Sequence, residues 1–345
     1  MDHVSFDVQE GEVLGLLGPS GCGKTTILRC ISGLEDIDEG EILIDGKVVS
    51  SPSKKINLQP EKRKVGFVFQ SYALWPHMTV HNNLAYCLKG FSKDEKEKRI
   101  KEALKLVGLT EVIDRYPAQL SGGEQQRVAL ARSLSYQPSV VLLDEPMSNL
   151  DLRERERVRG ELRRLLKEIG ITSIFVTHDQ EEAFVVSDSV VLLDQGKVVQ
   201  RGSPNDLYTK PANLFAARFI GRANILKANV LEVRENGHWG RLSFPEMSTE
   251  LICEYEGLLD GTTMAAIRFN EISISSKPMS ESENVVEGKL ISREYRGSVT
   301  DHKVKVGDAE LIITTHKFCS ASEHSPAGGK IYVHIPPGAI RPLKE

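Results

Sequence analysis

Three short stretches of this chain carry residue types suited to phosphate chemistry. Gly18-Pro19-Ser20-Gly21-Cys22-Gly23-Lys24-Thr25 fits the pattern G-x-x-x-x-G-K-[ST]. Glycines let a backbone turn successive N–H groups inward as an anion nest, and a helix opening at Lys24-Thr25-Thr26 adds partial positive charge. Lys24 is placed to reach β- and γ-phosphates, and the Thr25 hydroxyl to ligate Mg²⁺. Val140-Val141-Leu142-Leu143-Asp144-Glu145 is an apolar run ending in two carboxylates. Asp144 at a strand end suits the Mg²⁺ shell, and Glu145 suits a general base that polarises the attacking water. Between them, Ser121 with Glu124 three residues on forms a capping box, and Gly122 and Gly123 leave the first helical N–H groups uncovered. That makes a second anion site on a chain that already has one. Taken singly, these are a chance match, an ordinary helix cap and a solvated strand end. Their order along the chain argues against all three plain readings.

In the sequence P-loop, Leu120-Ser121-Gly122-Gly123-Glu124-Gln125, acidic strand and Ser148-Asn149-Leu150-Asp151, the segments resemble the ATP-binding-cassette (ABC) ATPases. The resemblance implies that Leu120–Gln125 is the signature, facing the γ-phosphate held by the P-loop of a second copy. Two ATPs would then be sandwiched in a head-to-tail dimer, with Ser148–Asp151 as the D-loop. Gln70, in Phe67-Val68-Phe69-Gln70-Ser71-Tyr72, resembles the Q-loop glutamine that contacts Mg²⁺ and the attacking water. His178, following Ser173-Ile174-Phe175-Val176, resembles the switch histidine, whose neutral imidazole hydrogen-bonds the γ-phosphate and orients Glu145.

The bulk properties narrow the class further. Net charge is −4 and the isoelectric point is near 6.2, so no basic field invites nucleic acid. No apolar run approaches the ~18 residues that span a bilayer. Met1-Asp2-His3-Val4 lacks the basic and apolar regions of a signal peptide. Five cysteines without a C-x-x-C pair indicate reduced thiols. Cys22 lies within the phosphate loop, where it is either a small residue that fits or a thiol activated by N–H dipoles.

The elements that must position these residues can be read from periodicity. Val13-Leu14-Gly15-Leu16-Leu17 reads as a buried parallel strand leading into the P-loop. Ser92 opens a helix striped by Ile100, Ala103, Leu104 and Val107 and ended by Gly108. Leu152, Val158, Leu162, Leu165, Leu166 and Ile169 stripe another, ended by Gly170. Strands alternating with helices predict an α/β domain over residues 1–221, with a helical subdomain at about 73–135. Over 222–345 the pattern becomes alternating strands such as Lys289–Tyr295, Lys303–Val306 and Leu311–Thr315, separated by turn signals Asn236-Gly237 and Gly307-Asp308. This predicts an all-β, OB-like barrel or sandwich, with no internal repeat evident. The junction Ile220-Gly221-Arg222-Ala223-Asn224-Ile225-Leu226 followed by such a module resembles the C-terminal regulatory (TOBE) domain of importers for sugars, polyamines and ferric iron.

By the same resemblance, Val4-Ser5-Phe6-Asp7-Val8 corresponds to the family's second strand. The aromatic residue that stacks on adenine then has no counterpart: either the true start lies upstream, or ATP is held chiefly by its phosphates and weak, base-indifferent binding is expected. The expected function is the ATPase subunit of a binding-protein-dependent importer at the cytoplasmic face of the membrane. It would work with ATP and Mg²⁺ as a dimer with its own copy, dock permease subunits near Ser71–Met78, and serve an extracytoplasmic solute-binding protein indirectly. Ferric iron or polyamine is the favoured cargo and sugar the alternative. The rival is a soluble ABC ATPase of DNA maintenance or translation. Against it stand the single cassette and the absence of sustained heptads between Lys24 and Ser121.

Overall fold

The structure is a computed structural model that describes residues 1–234, 239–254, 261–279, 283–316 and 328–343. The Asn236-Gly237 turn and Cys319 lie outside the described residues. The chain divides into two compact units, Met1–Asn205 and Asp206–Glu345.

The first unit begins with β1 (Val13–Leu17), the P-loop and α1 (Lys24–Ser32). A small antiparallel sheet follows: β2 (Ile42–Ile44), β3 (Lys47–Ser51) and β4 (Ile56–Asn57). Next come β5 (Val65–Val68), α2 (Val80–Ala85), α3 (Lys93–Leu106) and α4 (Gly122–Leu134). The unit continues with β6 (Val140–Asp144), α5 (Leu152–Ile169), β7 (Thr172–Thr177), α6 (Gln180–Val186), β8 (Ser189–Asp194) and β9 (Lys197–Gly202). The main sheet has the order β5-β6-β7-β1-β8-β9, parallel except for β9. All residues of β1 and β6 are buried, as expected of strands covered on both faces. Leu14, Leu16, Leu28, Leu142 and Val176 pack in one core. Val13, Val141, Leu143 and Phe175 pack in another with Ile100, Leu104 and Leu130 of the helices.

The helices obey their terminal signals. Ser92 caps α3 through a reciprocal capping box, and Gly170, at φ 70°, closes α5 in the left-handed region. Two expectations fail. Leu152 is 72% exposed, because it occupies the first position of α5 before the helix meets the core at Val158. Val4–Val8 forms no strand; no described strand pairs with it, Val4, Phe6 and Val8 pack against the β1 core, and Arg201 donates to Asp7.

The second unit takes in most of α7 (Pro204–Thr209) and all of α8 (Leu214–Phe219), so the division falls earlier than the expected 221/222. Arg268 is the physical reason. Fully buried, it donates to the carbonyls of Tyr208, Ala217 and Ile220 and stacks over the Tyr208 ring at 4.5 Å, fastening both helices to the strands that follow. Those strands are β10 (Ala223–Arg234), β11 (Trp239–Phe244), β12 (Thr249–Glu254), β13 (Gly261–Arg268) and β14 (Ser273–Ser275). They continue as β15 (Val285–Tyr295), β16 (Val299–Val306), β17 (Ala309–His316), β18 (Lys330–His334) and β19 (Ile340–Leu343). They form two five-stranded sheets, β12-β11-β10-β13-β19 and β14-β18-β15-β16-β17, around one apolar core.

These sheets correct the expectation of no internal repeat. Strands β10–β14 and β15–β19 follow the same plan, and each half gives its last strand to the other half's sheet. The long first strand of each half carries a bulge, between Val230 and Glu232 in one and Leu290 and Ser292 in the other. Asn224 clamps the Ile312 backbone with both amide groups, and Asn284 clamps Ile252 in the same way. The two asparagines are separated in the chain by the same interval as the two isoleucines.

Candidate active site

The residues expected to act on phosphate within one copy sit at the carboxyl end of a parallel strand of the main sheet or in the loop beyond it, where ligands of open α/β sheets bind. The P-loop follows β1, Gln70 follows β5, Asp144 and Glu145 end β6, and His178 follows β7. Gly23 caps α1 at φ 104°, a conformation that only glycine adopts without strain.

Within the loop, Lys24 is 5% exposed, and its ammonium donates to the carbonyls of Gly18 at 2.8 Å and Pro19 at 2.9 Å. Cys22 is 4% exposed with its Sγ 3.8 Å from Lys24 Nζ. It fills space in the loop and offers little surface to a reagent. The Thr25 hydroxyl donates to Asp144 Oδ1 at 2.9 Å, which joins two of the expected Mg²⁺ ligands, one in the first turn of α1 and one at the end of β6. Burial raises the Asp144 carboxyl above its usual range against that hydrogen bond, and the neighbouring Glu145 pushes the same way. Two hard oxygen donors, one of them a buried carboxylate, fit Mg²⁺, which takes one or two protein oxygens and completes its shell with phosphate and water. Accordingly, no cluster of three or more metal-ligating His, Cys, Asp or Glu side chains occurs among the described residues.

Glu145 is the centre of the constellation. Its backbone is in the left-handed region at φ 42°, and its N–H donates to Val176 O at 3.1 Å, which fixes the turn after β6. One carboxylate oxygen lies 3.2 Å from His178 Nδ1, and the other accepts from Gln70 Nε2 at 3.4 Å. Gln70, expected at the metal, therefore also touches the expected base.

The signature helix α4 has the predicted capping box: Glu124 N–H donates to Ser121 Oγ at 3.3 Å and Ser121 N–H donates to Glu124 Oε2 at 2.8 Å. The Ser121 backbone N–H holds the Glu124 carboxyl below its usual range. The glycines do something unforeseen. A Cβ on Gly122 would lie 2.7 Å from Leu150, and the Gly123 N–H is already engaged, donating to Glu154 Oε1 at 3.3 Å. The expectation that both glycines leave their N–H groups uncovered is thus corrected at Gly123.

In the D-loop segment, Ser148 Oγ donates to Glu145 O at 3.0 Å, Asn149 Nδ2 donates to Gln70 O at 2.6 Å, and Asp151 caps α5. Two residues missed by the sequence reading lie behind it. Glu182, 4% exposed, accepts from Thr177 Oγ1 at 2.6 Å, and burial raises its carboxyl. Arg155 Nε approaches Glu182 at 3.6 Å while its Nη2 donates to Leu150 O at 3.2 Å. The pair ties the His178 strand end to the D-loop. A glutamate on the apolar face of α6, beside Ala183 and Val186, was the available sequence signal.

Ser71–Met78 is fixed by side chains of α4 and α2. Tyr72 and Ala73 adopt φ 61° and 47°, and Arg132 binds their carbonyls at 2.8 and 2.6 Å. Buried Asn83 bonds both backbone groups of Trp75 and the carbonyls of Met78 and Thr79. Trp75 and Tyr86 pair at 4.4 Å, and Tyr86 is left 45% exposed.

Residues 1–148 match the sequence profile of the family described as ABC transporter. The spermidine/putrescine import ATP-binding protein PotA of Haemophilus influenzae is 42% identical over 320 residues, covering 92% of this chain and 84% of that protein. The Fe(3+) ions import ATP-binding protein FbpC of Pasteurella multocida is 39% identical over 348 residues, covering all of this chain and 93% of that one. Among solved structures, cbiO1 from Clostridium perfringens, part of the ABC transporter complex cbiONQ, aligns with a TM-score of 0.52 at 30% identity, covering 59% of this chain and 82% of that one. Relatives 42% and 39% identical over nearly the whole chain show that it belongs to the ATP-binding-cassette family of import ATP-binding proteins.

Proposed function

We propose that this chain binds Mg·ATP in a site shared by two copies, hydrolyses it with Glu145 as general base, and so drives a membrane importer for a polyamine or ferric iron. The convergence of His178 and Gln70 on the Glu145 carboxylate carries this reading. A carboxylate held on one oxygen by an imidazole nitrogen and on the other by an amide N–H is oriented for proton abstraction from a water. Lys24 and the P-loop amides bind the phosphates. Thr25, Asp144 and Gln70 would hold Mg²⁺, which when bound neutralises charge on the β- and γ-phosphates. His178 keeps Glu145 aimed through Nδ1. Leu120–Gln125 faces the nucleotide of the second copy, and Ser148–Asp151 accompanies it across the interface.

The aromatic segment Ser71–Met78 beside Gln70 suits a short helix of a permease subunit. The chain would then act peripherally at the cytoplasmic face, with the solute-binding protein met only through the permease. Polyamine and ferric iron are favoured as cargo because relatives bearing those names match nearly the whole chain. Glu145→Gln tests the reading. Turnover of Mg·ATP should fall by ~10²–10⁴, the usual cost of losing a general base, while ATP still binds. Near-normal turnover would remove Glu145 from the role. In vesicles holding the permease, hydrolysis should rise with a loaded polyamine- or iron-binding protein and not with a sugar-binding one.

A further inference from the structure

Glu154 stands in the first turn of α5, its N–H capped by Asp151 at 2.9 Å. Its carboxylate reaches the signature helix: Oε1 accepts the Gly123 N–H at 3.3 Å, and a Cβ on Gly122 would lie 3.4 Å from Oε2. A carboxylate therefore lies against both signature glycines and accepts the Gly123 N–H at the positive end of a helix. The same carboxylate has another place to go: Arg157 Nη2 is 3.8 Å from Oε1, one helical turn along.

Resting on the composite-site reading above, we propose that Glu154 is a built-in competitor of the second copy's γ-phosphate: it occupies the Gly123 N–H until ATP-driven closure displaces it towards Arg157. One N–H cannot serve two anions, and two anions drawn to one helix end repel each other. Glu154 thus sets how much ATP is needed to close the dimer. Because it sits three residues after Asp151, a shift of the D-loop would carry it off the signature.

The test uses the full chain in the Glu145→Gln background, so that hydrolysis does not dissolve the dimer, and follows ATP-dependent dimerisation by analytical ultracentrifugation. Glu154→Gln should lower the ATP concentration for half-maximal dimer roughly tenfold, the difference between a charged and a neutral acceptor on that N–H. ATP binding to the dilute monomer should not change. Glu156→Gln removes the same charge from an exposed position on the same helix and should behave like the parent. A Glu154→Gln midpoint equal to that of Glu156→Gln, or higher, would overturn the proposal. Hydrogen exchange over residues 120–126 gives a second reading. Without ATP, the Gly123 amide should exchange several-fold faster in Glu154→Gln than in the parent, and equal rates would also overturn the contact. A parent that binds ATP but never dimerises would count against the composite site, leaving the exchange measurement to judge Glu154.

Discussion

Burial sets the protonation of side chains that solvent barely reaches, and His302 gives the most direct consequence. It is 1% exposed on β16, with Nε2 2.9 Å from Thr315 Oγ1 and Nδ1 without a hydrogen-bond partner. Burial lowers its pKa below the ordinary 6.5, helped by the Arg293 charge. A depressed folded value means that the unfolded chain takes up a proton first. The contribution of His302 is therefore fully present above pH ~6.5 and is lost as pH falls through the folded value. Unfolding midpoints of the second unit should drop between pH 7.5 and 5.5, and His302→Gln should flatten that dependence; an equally steep variant would assign it to other groups. Asp144 and Glu182 are shifted upward, so each favours the folded first unit more as pH falls. At this scale the residues of the local motifs were legible, because Lys24, Thr25, Asp144 and Glu145 are specified by neighbours a few positions away. Glu154 and the Arg155–Glu182 pair were not, because Gly123 is brought to Glu154, and Glu182 to Arg155, by the fold.

Elements were legible where one face is buried and an end carries its own chemistry. The capped helices α3 and α5 and the strands β1, β6 and β7 follow from apolar spacing plus Ser92, Gly170 and the loop residues beyond each strand. Val4–Val8 alternates like a strand but has none beside it, and alternation reports a buried face rather than a pairing partner. The duplicated plan of the β unit was hidden because bulges, strand exchange and two asparagine clamps carry it, rather than repeated residues. The clamps make a prediction of their own. Asn224→Leu removes two hydrogen bonds and orphans the Ile312 backbone, which should cost about 2–4 kcal/mol. Asn284→Leu should cost a similar amount through Ile252. Denaturant unfolding of each variant checks this, and stability unchanged at either site would show that the clamp there does not hold the two sheets together.

For the whole molecule, family and sheet architecture follow from the order of motifs, whereas the division at Asn205/Asp206 depends on Arg268 reaching back to three carbonyls, which no composition shift announces. The central claim is that the phosphate loop of one copy and the signature of another make one working site. Mixing two inactive variants tests it most directly. Lys24→Ala removes the phosphate ligand of its own loop, and Ser121→Arg blocks the signature offered to the partner. ATP hydrolysis is measured for each alone and across mixing ratios. The account predicts that neither variant turns over ATP alone, that Ser121→Arg monomers still bind it, and that the mixture regains hydrolysis through the dimer that pairs an intact loop with an intact signature. Turnover by Ser121→Arg alone, or a mixture that stays inactive at every ratio, would contradict it.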